Sequence, residues 1–314
     1  MAPTVVRSLT EKPAMAWLRH RIVLSHAARD FDGTTMMSVR MGYPLLSESD
    51  YRHLRKENST LFILGSGESV EEVTTKQWDF VGRSTSIGIN SWAVHDFVPD
   101  AYSFEQMPGS DYTDVSSTLS VLLSRPEVLA RRPRILMLRP HASTPASRVV
   151  DIPSDLRSEV RLYGRTTLFT RDAKNLPQDI ERMLISMVKN KVPAGMSLDA
   201  GMSVSRLISL GARAGFQRIV LVGVDLNSPR YFFDVNTEYW NRRKVAAFNP
   251  WLNRGAVHGT EETTTRSFPA SVIIPALSSA IRSVTGTEVF VSSESSALSS
   301  SLPVFRWADK GEIL

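Results

Sequence analysis

The stretch 61-LFILGSGESV-70 decides how the rest of the chain is interpreted. Its first four residues are bulky and apolar, as in a buried strand, and glycines follow at positions 65 and 67. A strand that runs into a glycine loop predicts a phosphate site, because backbone amides can approach an anion closely there. The loop lacks the lysine of a nucleoside-triphosphate loop, and Val70 stands where a dinucleotide fingerprint has a third small residue.

Further apolar segments have the length of strands and alternate with helical patterns. The predicted strands are 85–90, 101–105, 134–140, 160–164, 218–225 and 288–293. The predicted helices are 114–125, 176–191, 202–216 and 269–284, and we expect Pro275 to kink or interrupt the last of them. This alternation predicts an α/β fold: an open, mostly parallel, Rossmann-like sheet with helices on both faces.

The chain divides at residue 60, where the regular pattern begins. Residues 1–59 are mixed in charge and weakly periodic, and we predict an N-terminal extension with one or two short helices. Residues 60–314 form the predicted α/β domain. Within it, residues 227–258 are rich in Tyr, Trp, Asn and Arg and have no apolar period, so we predict a lid.

The composition excludes several classes of function. The 314 residues carry a net charge of +5 without a Lys/Arg run, so we expect no nucleic acid partner. The absence of cysteine excludes disulfides, thiolate metal sites and cysteine nucleophiles. No signal peptide or membrane span is visible, which favours a cytoplasmic protein. A peripheral contact with the inner membrane and a homo-oligomer stay open.

Candidate binding residues follow the predicted strands, because ligands bind at the carboxyl ends of the strands in open α/β sheets. Asn90 can read a base or a sugar hydroxyl with its amide, although a turn-forming role is the alternative. Asp225 could instead cap the next helix. The candidate set is Gly65, Ser66, Gly67, Ser69, Asn90, Glu105, Gly223, Asp225 and Asn227.

Two residues of the predicted lid are candidates for chemistry. Tyr231 follows Asp225 in 223-GVDLNSPRYFFD-234, within reach of the same cleft. His258 lies in a polar stretch without apolar periodicity, so it is the histidine best placed to titrate. Packing in the lid is the alternative role of Tyr231, and a purely structural role is the alternative for His258.

These motifs, in this order, resemble the bacterial sialyltransferases of glycosyltransferase family 42. The resemblance covers about residues 60–305. It is carried by the glycine loop 65–70, by Asn90 in SIGINSW, by 214-AGFQRIVLVGVD-225, by Tyr231-Phe-Phe-Asp234, by His258 before a Ser/Thr-rich stretch, and by 288-EVFVSSESSAL-298. The chain departs from the family pattern at Ser66, Glu105, Asp199 and Asn227.

The resemblance implies an inverting glycosyltransferase of polysaccharide or lipooligosaccharide biosynthesis. Its donor is a CMP-activated acidic sugar, either sialic acid or a related ulosonate such as Kdo, and its acceptor is a glycan or glycolipid hydroxyl. His258 acts as the base and Tyr231 donates to the departing phosphate, which the glycine loop cradles with its amides and Ser69. Asn227, Tyr239 or Arg230 replaces the family's other lid tyrosine.

We expect no cofactor and no metal. A CMP leaving group carries one phosphate and therefore needs less charge neutralisation than a diphosphate. The Asp-x-Asp of the chain, Asp30 and Asp32, lies upstream of the predicted sheet. Two alternatives remain open: a pterin diphosphokinase-like enzyme that uses a nucleoside triphosphate with Mg²⁺, and a non-catalytic nucleotide-binding protein.

Overall fold

The computed structural model describes residues 13–105, 125, 135–139, 154–168, 170, 174–243, 258–261 and 268–307. Nine strands lie in this part of the chain, and seven of them form one parallel sheet. The strands are β1 (Thr60–Leu64), β2 (Thr85–Ile89), β3 (Ala101–Glu105), β4 (Ile135–Arg139), β5 (Val160–Leu162), β6 (Gly164–Thr167), β7 (Met196–Asp199), β8 (Arg218–Val222) and β9 (Glu288–Val291).

The order of the main sheet is β5-β4-β3-β2-β1-β8-β9, and its neighbours pair in parallel. From β1 the chain builds outward through β5 and then returns to the other side of β1 with β8. The strand order therefore reverses between β1 and β8. In open α/β sheets, this switch point is where a crevice for ligands forms. The α/β fold predicted from the alternating pattern is thus confirmed.

Helices cover the sheet. They are α1 (Pro13–Met41), α2 (Glu48–Leu54), α3 (Thr75–Arg83), α4 (Leu176–Lys189), α5 (Ser203–Arg213), α6 (Phe232–Val235), α7 (Glu238–Arg243) and α8 (Ala270–Thr285). Short 3₁₀ turns follow β1 and β2, at Glu68–Glu72 and Asn90–Val94. In the described part of the chain, no helix combines the length and the apolar character needed to span a bilayer.

The residues of β1 alternate between two hydrophobic cores. Leu61 and Ile63 pack into the core that contains α4, α5 and α8. Phe62 and Leu64 pack into the opposite core, which contains Phe232 and other aromatic residues. A parallel strand buried on both faces reads as a continuous apolar run, which is why 61–64 could be predicted as a strand.

Several predicted elements differ from the structure. The extension holds one helix of 29 residues, α1, and the shorter α2, so the prediction of only short helices is wrong. The segment predicted as one strand at 160–164 is divided at Tyr163 into β5 and β6, which belong to different sheets. A second sheet of β6 and β7 was not predicted.

The remaining predicted helices have mixed outcomes. α8 is one continuous helix that includes Pro275, so the predicted interruption is wrong, and a kink at this residue stays a prediction. The predicted helix 114–125 lies outside the described residues except for Arg125, and so does the lid between residues 244 and 257.

Irregular segments pair with both outer strands of the main sheet. Beside β5, the Leu46 amide donates to the Leu162 carbonyl at 2.8 Å, and the Leu162 amide donates to the Pro44 carbonyl at 2.8 Å. Beside β9, the Val291 amide donates to the Pro303 carbonyl at 3.1 Å. The N-terminal extension and the C-terminal segment are therefore joined to the sheet by backbone hydrogen bonds.

Candidate functional site

The glycine loop after β1 packs directly on the backbone that follows β8. The Gly65 amide donates to the Val222 carbonyl at 2.7 Å, and the Gly67 amide donates to the Gly223 carbonyl at 2.8 Å. A Cβ on Gly65 would lie 2.5 Å from the Gly223 oxygen, and Gly223 itself has a φ of +64°. Glycine is required at these positions because two backbones meet at the switch point.

Asp225 binds Ser69, the second residue of the 3₁₀ turn that follows the loop. Its carboxylate accepts from the Ser69 amide at 2.9 Å and from the Ser69 hydroxyl at 2.5 Å. Burial raises the pKa of the Asp225 carboxyl, the hydrogen bonds from Ser69 oppose that rise, and the negative charges of Glu72 and Glu68 add to it. Ser69 therefore already binds a negatively charged group of the protein itself, the Asp225 carboxylate.

Tyr231 is held against the glycine loop from the other side. It forms an antiparallel bridge with Gly67, and the next amide, of Phe232, donates to the Ser66 carbonyl at 2.9 Å. The Tyr231 amide donates to the Asp234 carboxylate at 2.7 Å, which caps α6. Because Phe232 is fully buried in the aromatic core, the start of the predicted lid has a fixed position.

His258, at the far end of the predicted lid, contacts the segment after β8 and Tyr231. Its amide donates to the Leu226 carbonyl at 3.2 Å. Its Nε2 lies 3.5 Å from the Tyr231 hydroxyl, at the outer limit of a hydrogen bond. The structure therefore brings together the two residues predicted to carry the chemistry, and it places both beside the glycine loop.

The other ring nitrogen of His258 faces Thr260. Nδ1 lies 2.9 Å from the Thr260 hydroxyl and 3.2 Å from the Thr260 amide. The hydroxyl can accept from an Nδ1–H, whereas the amide can only donate to an unprotonated Nδ1. In the structure the amide donates to Nδ1, which places the hydrogen of a neutral ring on Nε2, whereas the hydroxyl is the acceptor that the other tautomer would use. The sequence analysis did not identify Thr260.

The remaining predicted binding residues lie at the same edge of the sheet but in different surroundings. The backbone of Asn90 begins the turn after β2. The Asn227 amide group donates to the Ser295 carbonyl at 2.9 Å, which joins the predicted lid to the loop after β9. Glu105, at the end of β3, belongs to a network of buried charges. The ligand-binding roles of these residues stay predictions.

The charge network around Glu105 joins the main sheet to the small sheet. Glu105 pairs with Arg139 at 3.2 Å and, through its other oxygen, with Arg206 of α5. Arg206 also pairs with Asp199 at 2.6 Å, and Asp199 pairs with Arg165 at 2.9 Å. Both carboxylate oxygens of Glu105 thus accept from arginines of the protein.

Arg206 is a charged residue in an otherwise apolar and small-residue stretch of a helix, and the sequence analysis did not use this signal. It stands in a run from Ser205 to Ala212 in which every residue of α5 is buried. An arginine on a buried helical face requires a carboxylate partner, since an unpaired buried charge is strongly unfavourable. That requirement would have connected Arg206 with the acidic strand ends at Asp199 and Glu105.

Arg230 supplies positive charge beside the glycine loop. Its side chain is half exposed and lies 3.7 Å from the Glu68 carboxylate. The other two candidates for a second phosphate donor have their donors committed: Asn227 to Ser295, and the Tyr239 hydroxyl to the Glu71 carboxylate at 2.9 Å. Arg230 is therefore the candidate with the most N–H groups to offer an anion.

The described residues contain no group of three or more His, Asp or Glu side chains that could hold a metal ion. Metal independence remains a prediction.

No protein-family model and no curated protein matches the chain. Among the solved structures that are similar to it are two glycosyltransferases. One is the MAf glycosyltransferase from Magnetospirillum magneticum AMB-1, at 15% identity and a TM-score of 0.38, with 78% of this chain and 35% of that chain covered. The other is an alpha-2,3-sialyltransferase from Campylobacter jejuni in apo form, at 12% identity and a TM-score of 0.38, with 80% and 84% covered. The chain thus spans about a third of the length of the first of them.

Proposed function

We propose that the chain is an inverting glycosyltransferase that moves an acidic sugar, sialic acid or a related ulosonate such as Kdo, from a CMP donor to a glycan hydroxyl. One observation carries the proposal: the Tyr231 hydroxyl and the His258 imidazole lie 3.5 Å apart beside the switch-point loop. A base and a hydrogen-bond donor at such a crevice suit a displacement in which one group accepts a proton and the other meets the departing phosphate.

In the proposed reaction, His258 accepts the proton of the acceptor hydroxyl at Nε2. That role needs the hydrogen of the neutral ring on Nδ1, so in the proposed reaction Nδ1 stops accepting from the Thr260 amide and donates instead to the Thr260 hydroxyl, 2.9 Å away. Thr260 is thus a positioning residue, because it orients the base. The acceptor oxygen forms a bond to the anomeric carbon while the bond from that carbon to the CMP phosphate oxygen breaks.

Tyr231 and Arg230 meet the negative charge that develops on the departing phosphate. The tyrosine hydroxyl is neutral and directional, and the arginine adds a full positive charge at the rim of the crevice. Support for Arg230 comes from its half-exposed side chain and its long, 3.7 Å pairing with Glu68. A phosphate competes well for an arginine held so loosely, because the exposed ion pair stabilises the fold little.

The role proposed here for the glycine loop differs from the phosphate cradle that the sequence analysis expected. Ser69 already binds Asp225 with both its amide and its hydroxyl. We therefore assign Ser69 and Asp225 to holding the loop in shape, and the donor contacts the outer side of the loop near Tyr231. Direct binding of phosphate by Ser69 would require the Asp225 carboxylate to leave it.

The test measures release of CMP from CMP-sialate and CMP-Kdo, with and without a glycan acceptor and with EDTA. We expect turnover that EDTA leaves unchanged, and a loss of about 10²–10⁴-fold in His258→Ala. His53→Ala, in the exposed part of α2, is the matched control and keeps full turnover.

Equal turnover by wild type and His258→Ala would refute the assignment of the base. A thermal-shift panel with CMP, CDP, UDP, ATP and NAD tests the donor separately, since a ligand that binds only the folded chain raises its melting temperature. A Mg²⁺-dependent shift with ATP would favour the diphosphokinase-like alternative over the CMP donor.

A further inference from the structure

A concave site borders the turn that follows the glycine loop. It is a cavity of about 310 Å³ between the glycine-loop turn, α3 and the C-terminal segment. That volume falls at the lower end of the range for small-ligand sites. Its polar and aromatic lining includes Glu72, Gln77, Ser293, Glu294, Phe305 and Trp307.

The charge of this lining excludes an anionic ligand. Among the described residues that line the cavity, two are glutamates and none is a lysine or an arginine. Glu72 already accepts a hydrogen bond from the Ser293 hydroxyl. Carboxylates and hydroxyls of this kind accept hydrogen bonds from a ligand rich in O–H groups, and they repel phosphate and carboxylate.

One wall of the cavity is apolar and fixed in place. Trp307 stacks on Phe62 with ring centroids 5.7 Å apart and meets Phe305 edge to face at 5.3 Å. Its indole N–H reaches the Ser292 carbonyl at 3.4 Å. A rigid aromatic wall opposite hydrogen-bond acceptors suits a ligand with one C–H face and one hydroxylated edge.

The cavity is linked to the Tyr231–His258 pair through Ser69, which lines the cavity and donates to Asp225 with its amide and its hydroxyl. The Ala297 amide donates to the Asp225 carbonyl at 2.8 Å, so the loop after β9 is fixed to the backbone between the two sites. At the next residue of that backbone, the His258 amide donates to the Leu226 carbonyl at 3.2 Å. The two sites are thus neighbours along one backbone.

We propose that this cavity binds an uncharged sugar ring of the acceptor glycan; the acceptor role rests on the proposed function, whereas the binding itself does not. The ring lies with its C–H face on Trp307 and Phe305. Its hydroxyls donate to Glu72 and Glu294, and the Gln77 amide group offers N–H donors, because its oxygen already accepts from Thr74. A donor with a phosphate and a carboxylate is repelled here, so the two substrates are sorted by charge.

The test is calorimetric binding of methyl glycosides of galactose, glucose and N-acetylglucosamine to the full chain without nucleotide. We expect binding by wild type and by Glu288→Gln, whose carboxylate is exposed on β9 outside the cavity. We expect affinity to fall about tenfold in Glu294→Gln, which loses a charged hydrogen-bond acceptor. Trp307→Leu should weaken binding further, and Glu294→Gln keeps the test decisive if that variant unfolds.

The proposal is overturned if none of the glycosides binds below about 10 mM. It is also overturned if Glu294→Gln binds as well as wild type, or if inorganic phosphate competes with the glycosides. Because no donor is present, the result is independent of CMP release. Glycoside binding without CMP release would support the cavity as a sugar site and reject the transferase function. CMP release without glycoside binding would support the transferase function and reject the cavity as a sugar site.

Discussion

Asp225 and Ser69 are joined by two hydrogen bonds, 2.9 Å from the serine amide and 2.5 Å from its hydroxyl, across the switch point of the sheet. This pairing gives a buried carboxylate its partners and fixes the turn after β1 against the backbone after β8. The site is therefore anchored from within before any ligand arrives.

The first prediction concerns the pH dependence of stability. The pKa of Asp225 is raised in the folded chain, mainly by burial. Between the unfolded and the folded pKa, the native chain binds more protons than the unfolded chain, so its free energy of unfolding falls as the pH rises. Asp225→Asn removes this dependence. Urea denaturation at several pH values above about 4 should therefore show wild type losing stability relative to Asp225→Asn. Parallel curves for the two proteins would contradict this prediction.

The second prediction compares two glycines. A Cβ at Gly67 would lie 2.3 Å from the Asp225 carboxylate and 2.9 Å from the Gly223 oxygen. We expect Gly67→Ala to lower the free energy of unfolding by about 1–3 kcal/mol. Gly33 lies inside α1 with nothing within 4 Å of its Cβ position. Gly33→Ala should instead raise it by about 0.5–1 kcal/mol, and equal effects at both sites would count against the close packing of the loop.

The third prediction concerns Glu105, whose carboxylate pairs with Arg139 and Arg206. Glu105→Gln removes the carboxylate that pairs with the buried Arg139 and leaves Arg206 with Asp199 alone, and we expect a loss of about 3–5 kcal/mol in the free energy of unfolding. Glu288→Gln breaks an exposed pair with Arg282 and should cost about 0–1 kcal/mol. If Glu105→Gln is as stable as wild type but binds the donor more weakly, Glu105 is a ligand-binding residue after all.

The fourth prediction tests the orientation of the base. Thr260→Val leaves only a backbone N–H beside Nδ1 of His258, which forces the hydrogen onto Nε2. We expect kcat for CMP release to fall about 10²-fold with KM nearly unchanged. Thr260→Ser restores the hydroxyl and should recover most of the rate. If Thr260→Ser is as slow as Thr260→Val, the hydroxyl does not orient the imidazole.

The fifth prediction concerns phosphate recognition by Arg230. Arg230→Gln should lower kcat/KM for the CMP donor about 10–100-fold, because a charge-assisted contact is lost. The matched control is Arg282→Gln, which removes an exposed arginine from α8 and should leave kcat/KM unchanged. Steady-state kinetics at low and at physiological salt would check both variants. Equal kinetics for Arg230→Gln and wild type would remove Arg230 from the site.

Much of the fold could be predicted from the sequence because its central strands are buried on both faces. Strands such as β1 and β8 read as continuous apolar runs, and glycine marks where each run ends. β7, Met196–Asp199, is short and every other residue is polar, so it gives no apolar run. α1 has little apolar periodicity, so its length is not visible in its residues.

The site could be predicted only in part. The resemblance brought Tyr231 and His258 into one hypothesis, and the structure places their side chains 3.5 Å apart. The pairing of Ser69 with Asp225 spans 156 residues, and no local pattern encodes such a contact. For the same reason, the arginine partners of Glu105 depended on the tertiary arrangement of β4 and α5.

The segments that pair with β5 and β9 have a consequence for how this protein behaves in concentrated solution. An uncovered outer strand offers its backbone groups to another copy and seeds aggregation. Here a stretch of the same chain already bonds to each outer strand, with Pro44 accepting from Leu162 of β5 and Pro303 accepting from Val291 of β9. The sheet is thereby closed to growth by strand addition at both margins, and removing either stretch would reopen it.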